Sequence, residues 1–130
     1  MTASRRLRDP LKNARGLGSA RDGTRHFILQ RISAVVLALL TPWLVWTLIT
    51  LIPADYATVR ATLADPVNAV LMLSFLLALF WHSRMGLQVV IEDYVHHHGL
   101  GAIAQIFVLF GCALGALVSF VAIGRIIFAG

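Results

Sequence analysis

The chain has 130 residues, which is enough for one compact unit but short for two ordinary domains. Hydrophobic residues make up 58% of it and charged residues only 13%, whereas a soluble domain carries roughly a quarter charged residues. This composition argues against a soluble domain and predicts a membrane protein. The net charge of +5 does not indicate nucleic-acid binding, because seven of the eleven basic residues precede the first apolar run. The single cysteine, Cys112, excludes an intrachain disulfide and a cysteine-rich metal site.

A basic segment, residues 1–25, precedes a domain of residues 26–130 in which three apolar runs predict three transmembrane helices. The first helix is predicted over about residues 26–52. Its central run, ISAVVLALLTPWLVWTLITLIPA, has no charged residue, and roughly 20 apolar residues cross a hydrocarbon core about 30 Å thick. Pro42 lies inside this helix, where neighbouring helices can satisfy the carbonyl that a proline leaves free.

The second and third helices are predicted over about residues 66–95 and 101–128, with a short turn between them. Pro66 suits the first turn of the second helix, because the first N–H groups of a helix have no intrahelical partner. The segment between the first two helices is predicted to be a loop. The third helix contains GCALG, whose small residues at a spacing of four allow two helices to approach closely.

The distribution of lysine and arginine predicts the orientation, because cytoplasmic segments of membrane proteins are enriched in these residues. The N-terminal segment is strongly basic, whereas the first loop holds Arg60 against Asp55 and Asp65. The N-terminus and the second turn are therefore expected in the cytoplasm, and the first loop and the C-terminus on the outer side of the membrane. Arg125, near the outer end of the third helix, does not fit this rule, but it is a single residue compared with seven basic residues in the N-terminal segment. A cleaved signal peptide is not expected, since the leading basic segment is too long.

The second helix carries the polar residues that are hardest to explain within a membrane. His82 lies near its midpoint, and an ionisable residue close to the bilayer centre suggests a function. One stripe of this helix holds His82, Gly86, Val89 and Asp93, with each of the other three within about 40° of His82. The glycine one turn after the histidine leaves bare backbone beside the imidazole, against which a flat macrocycle fits. Two interpretations stay open: His82 ligates the iron of a b-type haem, or it hydrogen-bonds a neighbouring helix.

This chain offers no second histidine for an iron bound at His82. His26 starts the first helix and His96 to His98 follow the second, roughly 20 Å from His82 by helix rise. A second ligand would have to come from another chain, so the three helices would form part of a two-subunit bundle. Arg84 points about 200° away from His82 on the same helix, and its partner stays open. His96 to His98 are expected to form a solvated turn rather than a metal site.

Two stretches resemble a known family. The pattern H-x3-G-x6-D-Y is present as His82, Gly86, Asp93 and Tyr94 within HSRMGLQVVIEDYVH. It resembles the second helix of the hydrophobic membrane-anchor subunit of succinate dehydrogenase, in its alphaproteobacterial form. HFILQRISAVVLALL is similar to the start of that protein's first helix. The number of helices, the chain length and the inward N-terminus agree, so the resemblance covers nearly the whole chain.

The resemblance implies roles for five residues. His82 would supply one axial ligand to haem b, and a companion membrane-anchor subunit would supply the other. Tyr94 would hydrogen-bond ubiquinone near the iron–sulfur subunit, and Asp93 would support that site. Arg31 would lie near the haem propionates. His26 is also assigned to the cofactor site, although the family's histidine at this point aligns more naturally with the preceding arginine.

The complex implied by the resemblance is succinate:quinone oxidoreductase, respiratory complex II of the bacterial inner membrane. Its flavoprotein subunit oxidises succinate, and electrons pass through the iron–sulfur subunit to a quinone held at the anchor. This chain would bind and position cofactors in the lipid bilayer and would have no enzyme activity alone. Two alternatives stay open: an anchor of fumarate reductase, and a cofactor-free structural or transport protein. Transport predicts mid-depth polar groups on several helices, but only His82 and Arg84 qualify.

Overall fold

The computed structural model describes residues 19–128, with side chains from Thr24 onward. Within this range all regular structure is helical, and the helices are α1 (Ser19–Leu51), α2 (Tyr56–Ala64), α3 (Pro66–Tyr94) and α4 (His98–Phe128). Three of them, α1, α3 and α4, are long and apolar enough to cross a membrane. The predicted all-α architecture with three membrane spans is therefore confirmed. Residues 1–18, which hold most of the basic segment, lie outside the described residues.

The long helices extend beyond their predicted bounds at polar ends. Helix α1 begins at Ser19 rather than near residue 26, because hydropathy marks only the apolar part of a helix. It continues through Pro42 without interruption. Helix α4 begins at His98, a little earlier than the apolar run suggests. There Nδ1 of His97 accepts a hydrogen bond from the backbone N–H of Leu100 at 3.3 Å, which satisfies one of the unpaired donors at the helix start.

Helix α2 occupies the segment that hydropathy predicts as a loop. Asp55 is its N-cap, and its carboxylate accepts a hydrogen bond from the backbone N–H of Thr58 at 3.0 Å. Hydrogen bonding to the Thr58 side chain and backbone N–H lowers the pKa of Asp55 below its usual value. The charged cap is therefore intact at neutral pH and is lost only as the pH falls through that lowered pKa.

A second aspartate, Asp65, connects α2 to α3. Its Oδ2 accepts hydrogen bonds from the backbone N–H groups of Val67 and Asn68 at 3.2 and 3.1 Å. Pro66 occupies the first turn of α3, as the sequence predicts. The side-chain amide of Asn68 donates to the carbonyl oxygen of Thr62 at 3.0 Å and ties the two helices together.

Helix α3 lies at the centre of the bundle, with α1 packed against it and α4 packed against it at a separate face. Helix α2 contacts both α3 and α4. Helix α4 lies close to α3 at Gly115, where an added Cβ would lie 2.5 Å from the ring of Phe80. At Gly111, the other glycine of GCALG, an added Cβ would have no neighbouring atom within 4 Å among residues 19–128. Only Gly115 therefore serves the close helix contact that the sequence predicts for this motif.

Few side chains in the described part of the chain are buried, and they are Ser33, Thr47, Ala69, Met85 and Ile123. Most of the large apolar side chains on the three long helices are exposed instead. In a soluble protein such a surface would be costly, whereas in a bilayer it contacts lipid or other membrane helices. The packing thus agrees with the composition in predicting a membrane environment.

Candidate functional site

His82 joins α3 to α1 through a hydrogen bond. Its Nδ1 lies 3.1 Å from Oγ of Ser33, and the same Oγ donates to the carbonyl oxygen of Gln30 at 2.9 Å. Ser33 is buried, with 6% of its surface exposed. The interpretation of His82 as a link to a neighbouring helix is therefore correct for one ring nitrogen. No partner for the other nitrogen, Nε2, exists among the described residues, so it stays available to a ligand.

A groove of about 290 Å³ lies beside the imidazole, between α1 and α3. His82 lines it together with four residues of one α1 face, which are Phe27, Gln30, Arg31 and Ala34. The guanidinium carbon of Arg31 lies 5.1 Å from the centroid of the Phe27 ring, a cation–π contact. Helix packing thus brings His82 and Arg31, two of the residues assigned to haem, to the same groove.

The residues of this groove fit a b-type haem. A neutral imidazole nitrogen is an axial ligand of haem iron, and a guanidinium pairs well with carboxylates such as propionates. Gly86 lies one turn beyond His82, and an added Cβ there would meet no neighbouring atom within 4 Å in the part of the chain that the structure describes. The backbone beside the imidazole is therefore uncovered, as the sequence predicts. An available nitrogen, a cation and a bare patch of helix together could hold the edge of a flat macrocycle.

His26 lies outside this groove as the structure has it. It is half-buried on α1, seven residues before Ser33 and so roughly 10 Å away along the helix. Its Nε2 is buried and has no hydrogen-bond partner within the described part of the chain. The assignment of His26 to a cofactor site stays a prediction, and the groove is formed by Phe27 and Arg31 on the adjacent face.

Asp93 and Tyr94 end α3, far from the groove. Both side chains are exposed, Tyr94 with 78% of its surface. Asp93 is eleven residues beyond His82, which corresponds to roughly 16 Å along one helix. A phenol and a carboxylate are thus presented together at one end of the bundle, where they can hydrogen-bond a polar group from outside this chain. The structure therefore separates the candidate quinone residues from the candidate haem residues.

Arg84 faces α4, whereas His82 faces α1, in agreement with their predicted angular separation. Its guanidinium carbon lies 6.0 Å from the Trp81 ring centroid. Arg84 also lines a cavity of about 290 Å³ between α3 and α4, together with Gln88 and Gln105. Both glutamine amides donate to Oε1 of Glu92, at 2.9 and 3.4 Å. These amides and Glu92 form a polar contact between α3 and α4 on the cytoplasmic side predicted for this end.

Sequence reasoning missed Gln30 and Ser33 on α1. A signal for them exists, because the polar residues His26, Gln30 and Ser33 recur at helical spacing in an apolar run. The turn of His96 to His98 has a partly structural role, since His97 caps α4. Across the described range, no group of three or more histidine, cysteine or acidic side chains is arranged to hold a metal ion.

Comparisons with known proteins identify the family. The family model of the succinate dehydrogenase/fumarate reductase transmembrane subunit matches residues 5–123. The chain is 34% identical over 109 residues to the succinate dehydrogenase hydrophobic membrane anchor subunit of Rickettsia conorii, covering 83% of this chain and 86% of the relative. The protein of the same name from Rickettsia typhi is 35% identical over 105 residues, covering 81% and 84%. That of Paracoccus denitrificans is 31% identical over 105 residues, covering 81% of each chain.

These matches confirm the resemblance to this family, and they agree with its predicted extent over nearly the whole chain. Together with three helices that can span a membrane, they identify a multi-pass membrane protein. The chain belongs to the succinate dehydrogenase/fumarate reductase transmembrane subunit family.

Proposed function

We propose that this chain is the membrane-anchor subunit of a succinate:quinone oxidoreductase and helps to bind haem b and ubiquinone. The observation that carries the proposal is the arrangement at His82. One ring nitrogen is held by Ser33, the other has no partner in the described part, and Arg31 lines the same groove. The curated relatives, all named as succinate dehydrogenase anchor subunits, support this class of complex.

In this proposal α1 and α3 form one wall of a haem site. Nε2 of His82 would ligate the iron, and the guanidinium of Arg31 would neutralise a propionate. A bound haem supplies a one-electron redox centre within the membrane. Gly86 leaves room for the macrocycle edge because it has no side chain. His96 to His98 lie roughly 20 Å beyond His82, and His26 does not line the groove, so the companion membrane-anchor subunit would supply the second ligand.

The quinone site in this proposal lies at the cytoplasmic end of α3. The hydroxyl of Tyr94 would donate a hydrogen bond to a quinone carbonyl. The neighbouring carboxylate of Asp93 would support this site. Their exposure in the isolated chain supports this role, because the other walls of the site would come from the companion membrane-anchor subunit and the iron–sulfur subunit. The chain would position the quinone, and the redox chemistry would belong to the cofactors.

The orientation follows from charge. The basic segment 1–25 would lie in the cytoplasm and face the iron–sulfur and flavoprotein subunits, while α2 and the C-terminus would lie in the periplasm. The family description covers succinate dehydrogenase and fumarate reductase alike, but the Rickettsia and Paracoccus relatives are named succinate dehydrogenase. We therefore propose succinate oxidation as the direction. Membership in this family disfavours a cofactor-free transporter.

Absorption spectra of the purified complex test the haem assignment. The wild type should show the bands of reduced haem b, and His82→Ala should lose them or show a strongly reduced haem content. His98→Ala is a matched control, because it removes an exposed histidine away from the groove. A wild-type complex without haem, or a haem that is unaffected by His82→Ala, would contradict the proposal.

A further inference from the structure

We propose that Ser33 is a positioning residue that fixes the tautomer and the ring orientation of His82. This inference rests on the proposed haem role of His82 and adds to it a residue on a different helix. Ser33 and His82 are 49 positions apart in the chain and meet only because α1 packs against α3. The contact is partly buried: Ser33 exposes only 6% of its surface, and His82 is half-buried.

The serine hydroxyl has a single proton to donate. Oγ of Ser33 lies 2.9 Å from the carbonyl oxygen of Gln30, which can only accept a hydrogen bond, so the hydroxyl donates its proton there. The oxygen can then only accept from His82, whose Nδ1 is 3.1 Å away. Neutral imidazole carries one N–H, and this contact places it on Nδ1. Nε2 therefore keeps the lone pair that an iron ligand requires.

The opposite tautomer of His82 could not ligate iron through Nε2. If Ser33 donated to Nδ1, the proton of the imidazole would be on Nε2, and that nitrogen could not bind a metal without losing it. Partners of this kind around metal-ligating histidines orient the ring and raise the basicity of the ligand. A more basic ligand favours the oxidised, more positively charged iron. Ser33 should therefore hold the ring plane and lower the midpoint potential of the haem.

Variants of Ser33 in the intact purified complex test this inference. Ser33→Ala should raise the haem midpoint potential in a redox titration and change the g values of the oxidised haem in electron paramagnetic resonance spectra. It should also weaken haem retention, by roughly 10- to 100-fold as for other such partners of metal ligands. Ser33→Thr keeps a hydroxyl at the same position and should restore both properties.

Thr47→Ala is the matched control. Thr47 is also buried on α1, and its hydroxyl donates to the carbonyl oxygen of Trp43 at 2.9 Å, but it does not contact His82. The inference requires Thr47→Ala to keep the wild-type potential and spectrum. Equal shifts in Thr47→Ala and Ser33→Ala would overturn it, because both would then reflect packing. Wild-type values in Ser33→Ala would overturn it as well.

If the Ser33→Ala complex does not assemble, Ser33→Cys serves as the test variant. Cysteine is close to serine in size, but its sulfur accepts hydrogen bonds only weakly. A raised potential in Ser33→Cys supports the inference, and an unchanged potential overturns it. The proposed function fails separately: a wild-type complex without haem contradicts the haem assignment itself, whereas a haem that depends on His82 but not on Ser33 contradicts only this inference.

Discussion

The two ring nitrogens of His82 have different surroundings. Nδ1 is within hydrogen-bonding distance of buried Ser33, while Nε2 has no partner among the described residues and the ring lines the groove with Arg31. A polar side chain at this depth costs less when one nitrogen is satisfied internally. The same bond leaves the second nitrogen uncommitted. One residue can thus link two helices of this chain and still offer a ligand to a cofactor.

The proposed quinone site can be tested by substituting Tyr94. Tyr94→Phe removes a hydroxyl that would donate to a quinone carbonyl, and a hydrogen bond contributes about 0.5–1.5 kcal/mol. We expect quinone reduction by the complex to fall roughly two- to tenfold in kcat/KM. Succinate oxidation with an artificial soluble acceptor should stay at the wild-type rate.

Tyr56→Phe is the control for this measurement, because Tyr56 is an exposed tyrosine at the start of α2, away from the end of α3. Both activities of Tyr56→Phe should match the wild type. Loss of both activities in Tyr94→Phe would instead indicate a defect in assembly, and unchanged quinone reduction would remove Tyr94 from the proposed site.

The sequence alone predicts a functional residue when a polar side chain lies deep in a predicted membrane span. His82 stands out because it lies in an apolar span, and its separation from Asp93 follows from helix rise. Ser33 could not be found in this way, since serine is common in membrane helices and its role depends on a contact with a distant part of the chain. Arg31 and His82 line the same groove, and this could not be predicted either, because it depends on how α1 packs against α3.

At the scale of elements, the three long helices follow from hydropathy, whereas α2 does not. Nine residues cannot form an apolar run of membrane length, so the signal for α2 is local. That signal is Asp55, which caps the helix through the backbone N–H of Thr58. Hydropathy also does not predict the polar start of α1. Outside the membrane a helix needs no apolar residues, although its backbone hydrogen bonds continue.

The contact between α4 and α3 can be tested at the two glycines of GCALG. Gly115→Ala would place a Cβ 2.5 Å from the Phe80 ring, so the ring or the helix must shift. Overpacking of this kind costs about 1–3 kcal/mol. We expect a lower thermal unfolding temperature of the purified complex. Gly111→Ala is the matched control, because its Cβ would meet no neighbouring atom of the described residues within 4 Å. Equal destabilisation by both substitutions would contradict the assigned contact.

At the scale of the whole molecule, the bundle has one central helix and two outer ones. Helix α3 contacts α1 through the face of His82 and α4 through the face of Arg84 and Phe80. Large apolar side chains are exposed along all three long helices. The chain therefore offers apolar surface to lipid and to a partner in the membrane, and the groove beside His82 has an incomplete wall that such a partner could close.

The orientation of this bundle decides whether Tyr94 can meet electrons delivered from the cytoplasm, and it can be measured by labelling. The native Cys112 is first replaced by alanine, and single cysteines are then introduced by Ala57→Cys and His96→Cys, both at exposed positions. With α2 in the periplasm, a membrane-impermeant maleimide should label the Ala57→Cys variant in intact spheroplasts. The His96→Cys variant should react only after the membrane is permeabilised.

The Cys112→Ala chain without a further cysteine gives the background, and labelling in detergent shows that both introduced thiols are reactive. The expected pattern follows from the seven basic residues before the first apolar run, compared with the single Arg60 between α1 and α3. A reversed pattern would place the end of α3 in the periplasm. Tyr94 would then be separated by the membrane from the soluble subunits, and the proposed quinone site would be excluded together with the orientation.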